Sequence, residues 1–352
     1  MWGRASRREL SSSRLCHSKK GTSAMSQYAQ DVAERWVAAM THDPDRRLRS
    51  TSRMYPSGDR IYSYGSHFEL GRAIRRNAEI VAFLLNGDTY SPTTSNHQNE
   101  LRAAVDHSGV PRVIIPYSAL ESSGIDLDSI EILDVTRDAW VPVERTAYQP
   151  RKRWQWDTPP DLTTTRLANG RTQYQWTDKV HRLGESVIRS RVHIGWRRTG
   201  PNPWDRRPRY RWAKFLSGFD VQESQPLYFF CELPRTDATT VSQAYQALKP
   251  DAVLLAEQMN RTVTRQGDIF SVALSSQITK RRLRREGATF DKGGALLDTN
   301  HVATEVARMP DGTTLVRGTL THRPPFRRPD HRRVRLADGW HAVVKNTVPL
   351  SA

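Results

Sequence analysis

The chain of 352 residues carries 54 Lys and Arg against 37 Asp and Glu, a formal charge of +17, and is 37% hydrophobic with ten Trp. That length fits two domains, the aromatic content excludes a wholly disordered chain, and no apolar run approaches the roughly 18 residues of a membrane span. Two cysteines, Cys16 and Cys231, cannot build a disulfide framework or a Cys-only zinc site, which leaves a soluble basic protein of a reducing compartment, expected in the cytoplasm.

The first 24 residues hold six basic side chains, one acidic side chain and six Ser, with no apolar periodicity. They lack the apolar core of a secretory signal and read as a disordered basic tail, or as sequence preceding a true start at Met25. From Ser26, Val32, Trp36, Val37 and Met40 fall on one face of a short helix that stops at His42–Asp45. Alternating aromatics around Pro56–Asp59 predict paired strands. The run EIVAFLLNGDTYS reads as a strand broken by a hairpin at Asn86–Gly87. A helix is expected around Asn96–Val105, capped by Ser95 or Asn96, followed by strands in VPRVIIPYS and IEILDV. Residues 25–144 thus read as one α+β domain.

Residues 145–215 differ. They hold 17 basic and five acidic residues, whereas 25–144 hold 12 and 17, and 216–352 hold 19 and 14. Six of the ten tryptophans, Trp154, Trp156, Trp176, Trp196, Trp204 and Trp212, lie in this basic aromatic segment, interleaved with Arg. RTQYQWTDKV and SVIRSRVHIGW have strand alternation, and three prolines make GPNPWDRRPRYRW an extended loop. From residue 216 to 352 a second α+β domain is expected, β-rich at its end. Its elements are a buried strand in PLYFFCEL, two helices in 239–259, a strand in TVTRQGDIFSVAL, a basic helix in ITKRRLRREG, a hairpin about Pro310–Asp311–Gly312 and a last strand in WHAVVKNTVPL.

A local excess of cations points to an acidic partner. Phosphates attract Arg and Lys, and bases stack on Trp, Tyr and Arg planes, so the interleaving suits a nucleic acid. Arg151, Lys152, Arg153, Arg197, Arg198, Arg206 and Arg207 are the expected phosphate contacts, and Trp154, Trp156, Trp196, Trp204 and Trp212 the expected stacking residues. The competing reading puts the tryptophans in the core of a half-buried sheet whose solvated face carries the arginines. The residue types do not choose between DNA and RNA, and they set no oligomeric state.

Four histidines, His301, His322, His331 and His341, fall within 41 residues. Imidazoles ligate divalent metals and act as bases near neutral pH, so these four are the candidate metal ligands of an alternative reading, a metal-dependent hydrolase acting on nucleic acid. Their spacing matches no metal motif, and no other cofactor is expected. His67 and His97 lie near Ser and Thr hydroxyls, the residue types of nucleophilic catalysis, although TTSNHQ also suits a helix N-terminus. The Gly-rich phosphate loops of nucleotide-driven motors and dinucleotide enzymes are absent.

The strings SYGSHFELGRAI, NGDTYSPTTSNHQ, FCELPRT, YQALKP, RQGDIF, NHVATEV and WHAVVKNTVP, spread over residues 63–349, resemble a family of uncharacterised proteins of actinobacteria and their phages. The resemblance implies a high-GC host or its phage, in keeping with the preference for Arg over Lys, and no mechanism. The expectation is therefore an α+β protein of two mixed domains with a basic Trp-rich insertion, acting as a cytoplasmic nucleic-acid-binding protein of phage or mobile-element type. A non-catalytic assembly or structural protein is the remaining alternative.

Overall fold

A computed structural model describes residues 24–42, 48, 50–51, 53–147, 149–151, 158–220, 227–234, 237–323 and 333–346. Helix α1 (Ala24–Thr41) buries Val32, Trp36 and Val37, as their spacing requires. Strands β1 (Met54–Ser57), β2 (Arg60–Ser63), β3 (Phe68–Arg76) and β4 (Glu79–Asn86) follow as an antiparallel meander. The β3–β4 turn uses Asn77 and Ala78, both at positive φ, 52° and 71°, as the tight hairpin turns that match strand twist demand.

The expected hairpin at Asn86–Gly87 does not form. The chain instead enters α2 (Pro92–Ser108) and returns as β5 (Arg112–Ile115), parallel to β4. Asn86 holds the crossover: Nδ2 donates to the Glu69 carbonyl, and Oδ1 accepts from the Asp88 and Tyr117 amides. At Gly87 an added Cβ would lie 3.1 Å from the Pro116 nitrogen, so the glycine serves close approach rather than a turn. The helix is capped by Ser91, whose Oγ accepts from the Thr94 amide. Pro92, with φ preset and no amide to satisfy, starts the helix before Ser95 and Asn96, which lie inside it.

After α3 (Tyr117–Ser122) come β6 (Glu131–Val135), β7 (Ala139–Ala147), β8 (Thr163–Arg166), β9 (Thr172–Arg182), β10 (Ser186–Arg198), β11 (Arg206–Asp220) and β12 (Leu227–Glu232). β7, β9 and β8 make a three-stranded sheet, and β12-β11-β10-β6 a four-stranded one. The expected loop GPNPWDRRPRYRW is a loop only over residues 199–205. Arg206 to Trp212 belong to β11 despite Pro208, which pairs with Trp196. β12 pairs with β11 only at residues 215–220, so among the described residues that edge of β11 is open at Pro208, where a proline is tolerated.

Four layers result. Helices α1 and α2 cover one face of the first sheet through Trp36, Met54, Leu70, Phe83 and Leu101. Its other face, with Ile74, Leu84 and Ile115, meets Ile132, Ile188, Val192, Phe215 and Phe230 of the four-stranded sheet. The far side of that sheet, with Val187, Leu216, Phe229 and Cys231, is covered by α4 (Val241–Ala247) through Val241 and Ala244. Alternate residues of β4 and β10 thus serve different cores, the period-2 pattern of strands buried on both sides.

The C-terminal part is β-rich. Strands β13 (Val263–Gln266), β14 (Ile269–Ala273), β15 (Thr289–Asp291), β16 (His301–Arg308), β17 (Thr314–His322), β18 (Val334–Arg335) and β19 (His341–Lys345) form a seven-stranded sheet. Helices α5 (Asp251–Gln258) and α6 (Lys280–Arg285) add Val253 and Leu283 to its cores. β16 and β17 are the hairpin expected at Pro310–Gly312. The protein is thus a mixed α and β fold with four sheets among the described residues. None of the described helices is long and apolar enough to cross a membrane.

One buried polar pair has a pH consequence. Ser63 Oγ and His97 Nδ1 are hydrogen-bonded at 2.8 Å, with both residues buried. Burial, reinforced by the Arg53 charge, holds the His97 pKa below its ordinary 6.5. Below pH 6.5 the unfolded chain therefore binds more protons than the folded one, and the stability present in full above that pH declines as the pH falls towards the folded value. Urea midpoints measured from pH 7.5 to 5 are expected to fall on acidification. His97→Asn, which keeps a polar group near Nδ1, is expected to flatten that decline.

Candidate functional site

The ribbon of β10 and β11 is paired from Ser186↔Ser217 to Arg198↔Arg206, with one bulge between His193 and Gly195. Neighbouring strands cover only its inner half. β6 pairs with residues 186–189 and β12 with 215–220, while Gly124–Asp126 touches β10 at 191–193. From Gly195 and Arg209 outward, the two strands pair only with each other among the described residues.

Strand alternation gives the two faces different chemistry. One face carries Arg189, Arg191, His193 and Trp196 from β10, beside Trp212, Tyr210 and Pro208 from β11. The Arg189 guanidinium lies 4.3 Å from the Trp212 ring centre and that of Arg191 5.2 Å from Tyr210. His193 meets Tyr210 at 5.8 Å and Trp196 at 5.3 Å. These rings are not core: Trp196 is 60% exposed, Trp212 47% and Tyr210 42%. The other face carries Arg211, Arg209, Arg207 and Arg197. Arg211 is neutralised by a two-pronged pair with Glu232, whose bond raises the Arg211 pKa.

The outermost pairs are Arg197↔Arg207 and Arg198↔Arg206, two consecutive like-charge pairs directly across the ribbon. Like charges directly opposite each other across a ladder are destabilising. Arg197, Arg206, Arg207 and Arg209 are exposed and make no ion pair among the described residues. Residues 189–214 hold nine Arg and Lys and a single acid, Asp205. Of the nine, Arg189, Arg191 and Arg211 pair with Glu131, Asp126 and Glu232 from outside that stretch. The Asp205 carboxylate is occupied within the end loop, where it accepts from the Asn202 amide at 3.1 Å. Arg198 donates to the Gly200 and Pro201 carbonyls, so it braces the loop as well as adding charge. Trp204, in the loop, is 90% exposed.

At its base the ribbon borders an open groove of about 700 Å³ whose lining includes Arg189, Trp212, Lys214, Glu232, Pro234 and Asp237. The groove carries both signs of charge, so the unbalanced field lies farther out along the ribbon.

Of the other sequence candidates, Arg151 is exposed, with its guanidinium 4.4 Å from the ring centre of Trp176, which is buried in the three-stranded sheet. For Trp176 the reading of a core residue holds. Lys152, Arg153, Trp154 and Trp156 lie outside the described residues, as does His331. The ribbon residues Arg189, Arg191, His193, Arg209, Tyr210 and Arg211 were not singled out from sequence. The signal that finds Arg209, Tyr210 and Arg211 is the alternation R-P-R-Y-R-W over Arg207–Trp212, which puts arginine on one face and rings on the other.

The C-terminal histidines divide. His301 and His322 are cross-strand partners, buried and stacked at 4.7 Å, and Asp268 approaches His301 Nδ1 at 3.4 Å. His341 faces Val316, six positions along β17 from His322, a span of about 20 Å at strand rise. Among the described residues no group of three or more His, Cys, Asp or Glu side chains could hold a metal ion. His67 is exposed in a turn, and burial pushes the Cys231 thiol up to about 12, which leaves it protonated.

No protein-family model, curated protein or solved structure matches the chain.

The ring–guanidinium contacts of the ribbon are expected to be energetically real. A double-mutant cycle of Arg189→Ala and Trp212→Ala, read by urea unfolding, should give a coupling of about 0.5–1 kcal/mol. A coupling indistinguishable from zero would mean that the two side chains do not stay in contact in solution.

Proposed function

We propose that this is a nucleic-acid-binding protein of phage or mobile-element type, working in the cytoplasm, whose contact element is the outer half of the β10–β11 ribbon. The observation that carries the reading is the pair of successive like-charge register pairs, Arg197↔Arg207 and Arg198↔Arg206, none of whose guanidinium groups makes an ion pair with a carboxylate among the described residues. A fold keeps such an arrangement at a cost that an anionic partner relieves. A polyphosphate chain supplies closely spaced charge of the right sign, and exposed Trp196 and Trp204 offer rings to bases. Arg151 adds charge elsewhere, and Lys152, Arg153, Trp154 and Trp156 belong to the proposal by composition alone.

The domain division belongs to the same proposal. Residues 25–144 and 216–352 are read as two α+β units, with 145–215 as the basic element between them and 1–24 as a tail. The pairing of β10 with β6 and of β11 with β12 supports a ribbon rooted in both. This reading assigns the chain no reaction. The histidine-centred hydrolase has less support, because His341 stands away from His301 and His322 along β17.

Binding of the full chain to fluorescent single-stranded and duplex oligonucleotides tests the reading. The affinity is expected to fall steeply between roughly 50 and 200 mM salt. Each ribbon arginine replaced by glutamine is expected to reduce the slope of log affinity against log salt by about one. Binding that is flat with salt, absent at low salt, or unchanged when Arg197, Arg206, Arg207 and Arg209 are replaced together would overturn it.

A further inference from the structure

We infer that the ribbon enters the major groove of a B-form DNA duplex tip first, and that Trp204 wedges between base pairs there. The inference rests on the nucleic-acid reading above and names the partner and the mode of contact.

The first argument is the placement of charge. Successive cross-strand pairs point to opposite faces, so Arg197 and Arg207 lie on one side of the ribbon and Arg198 and Arg206 on the other. A flat anionic surface or a single extended strand would meet only one of these sides. A ribbon entering a groove end-on meets two phosphate walls, one for each face.

Size agrees. The B-DNA major groove is about 12 Å wide and about 8.5 Å deep, and it admits a two-stranded ribbon. The free part of the ribbon, from Gly195 to Arg198, rises about 10 Å before the loop begins. The deep, narrow major groove of A-form RNA closes that route.

The tip supplies the wedge. Trp204 stands beyond the last arginine pair and is 90% exposed, whereas Trp212 and Tyr210 already have guanidinium groups against their rings. The most exposed ring stands at the end of the charged arm, which suits insertion, while Trp196, 60% exposed, sits behind it with His193 edge-on to its ring. The loop is held before any partner arrives. The Thr199 amide donates to the Asp205 carbonyl at 2.7 Å, the Asp205 amide to Asn202 at 3.1 Å, and Arg198 ties down Gly200 and Pro201. Pro201 and Pro203 fix two more φ angles, so little freedom remains to be lost on binding. Apolar side chains inserted from the minor groove unstack base pairs and kink the duplex by about 20–90°. A ring entering from the major groove is expected to unstack them likewise, most readily at flexible pyrimidine–purine steps.

The test uses the 352-residue chain with an end-labelled 30-base-pair duplex carrying a central TA step, the matching single strand and anionic vesicles, with bending read by energy transfer and affinity by anisotropy. Wild type is expected to bind and bend the duplex. Trp204→Ala is expected to bind within about threefold of wild type without bending it, and Trp204→Phe to recover part of the bend. The exposed position of Trp204 makes both variants foldable, which circular dichroism checks. If wild type binds without bending, if Trp204→Ala bends equally, or if single strands bind and duplex does not, the wedge is overturned while the nucleic-acid reading stands. If neither oligonucleotide binds at low salt, or the protein binds only anionic vesicles, both fall.

Discussion

The structure depends on one hydrogen-bonded ladder, the pairing of β10 with β11. It runs from Ser186↔Ser217 to Arg198↔Arg206, so the same two strands lie inside the protein at one end and in water at the other. At the inner end Ile188, Phe215 and Phe230 close the core shared with the first sheet, with Phe215 and Phe230 stacked at 5.1 Å. On the opposite face Val187, Leu216 and Cys231 are closed over by α4. Burying each such side chain contributes roughly 1.5–3 kcal/mol, which fixes the register of both strands. A one-residue slip would turn the buried side chains of β10 and β11 out of their cores.

That register decides what the outer half presents. With the core holding Ile188 opposite Phe215, Arg197 must fall opposite Arg207 and Arg198 opposite Arg206, the bulge at His193/Gly195 included. The fold therefore imposes the charge clustering, and local ion pairing does not remove it. Several arginines with strand or helix neighbours are paired closely. Arg72 lies between Glu69 and Asp128, Arg112 contacts Asp106 and Asp138, and Arg191 contacts Asp126. At Asp128, burial opposes ionisation, yet the bonds and charges of Arg72 and Arg60 hold its pKa below the usual carboxylate value. What sets the outer ribbon apart is that its unpaired arginines lie directly opposite one another on a paired ladder, which is the physical ground for proposing a partner of opposite charge.

Much of this was legible in the sequence, for reasons that differ by element. Helix α1 and the β16–β17 hairpin followed from local patterns, a 3.6-residue apolar stripe and a Pro-Asp-Gly turn, which tertiary contacts did not oppose. The hairpin expected at Asn86–Gly87 failed because Asn86 is used by distant groups, the Glu69 carbonyl and the Tyr117 amide. Pro208 hid the start of β11, since the openness of that strand's edge is a property of the whole sheet. The basic aromatic stretch was visible as composition. That Trp176 is buried while Trp196, Trp204 and Trp212 are exposed depends on which strands have neighbours, and this lies outside the stretch itself. The cross-strand pairing of His301 with His322, and the distance of His341 along β17, likewise arise from register rather than spacing.

The central claim is that the outer ribbon is the surface that meets nucleic acid. It is tested most directly by photo-crosslinking the 352-residue chain to DNA substituted with 5-iodouracil and mapping the adducts by peptide mass spectrometry. The account predicts adducts on Trp196, Trp204 or Tyr210, lost when the ribbon arginines are replaced by glutamine. Adducts confined to the first 24 residues or to the basic helix α6, with the ribbon peptides unmodified, would contradict it.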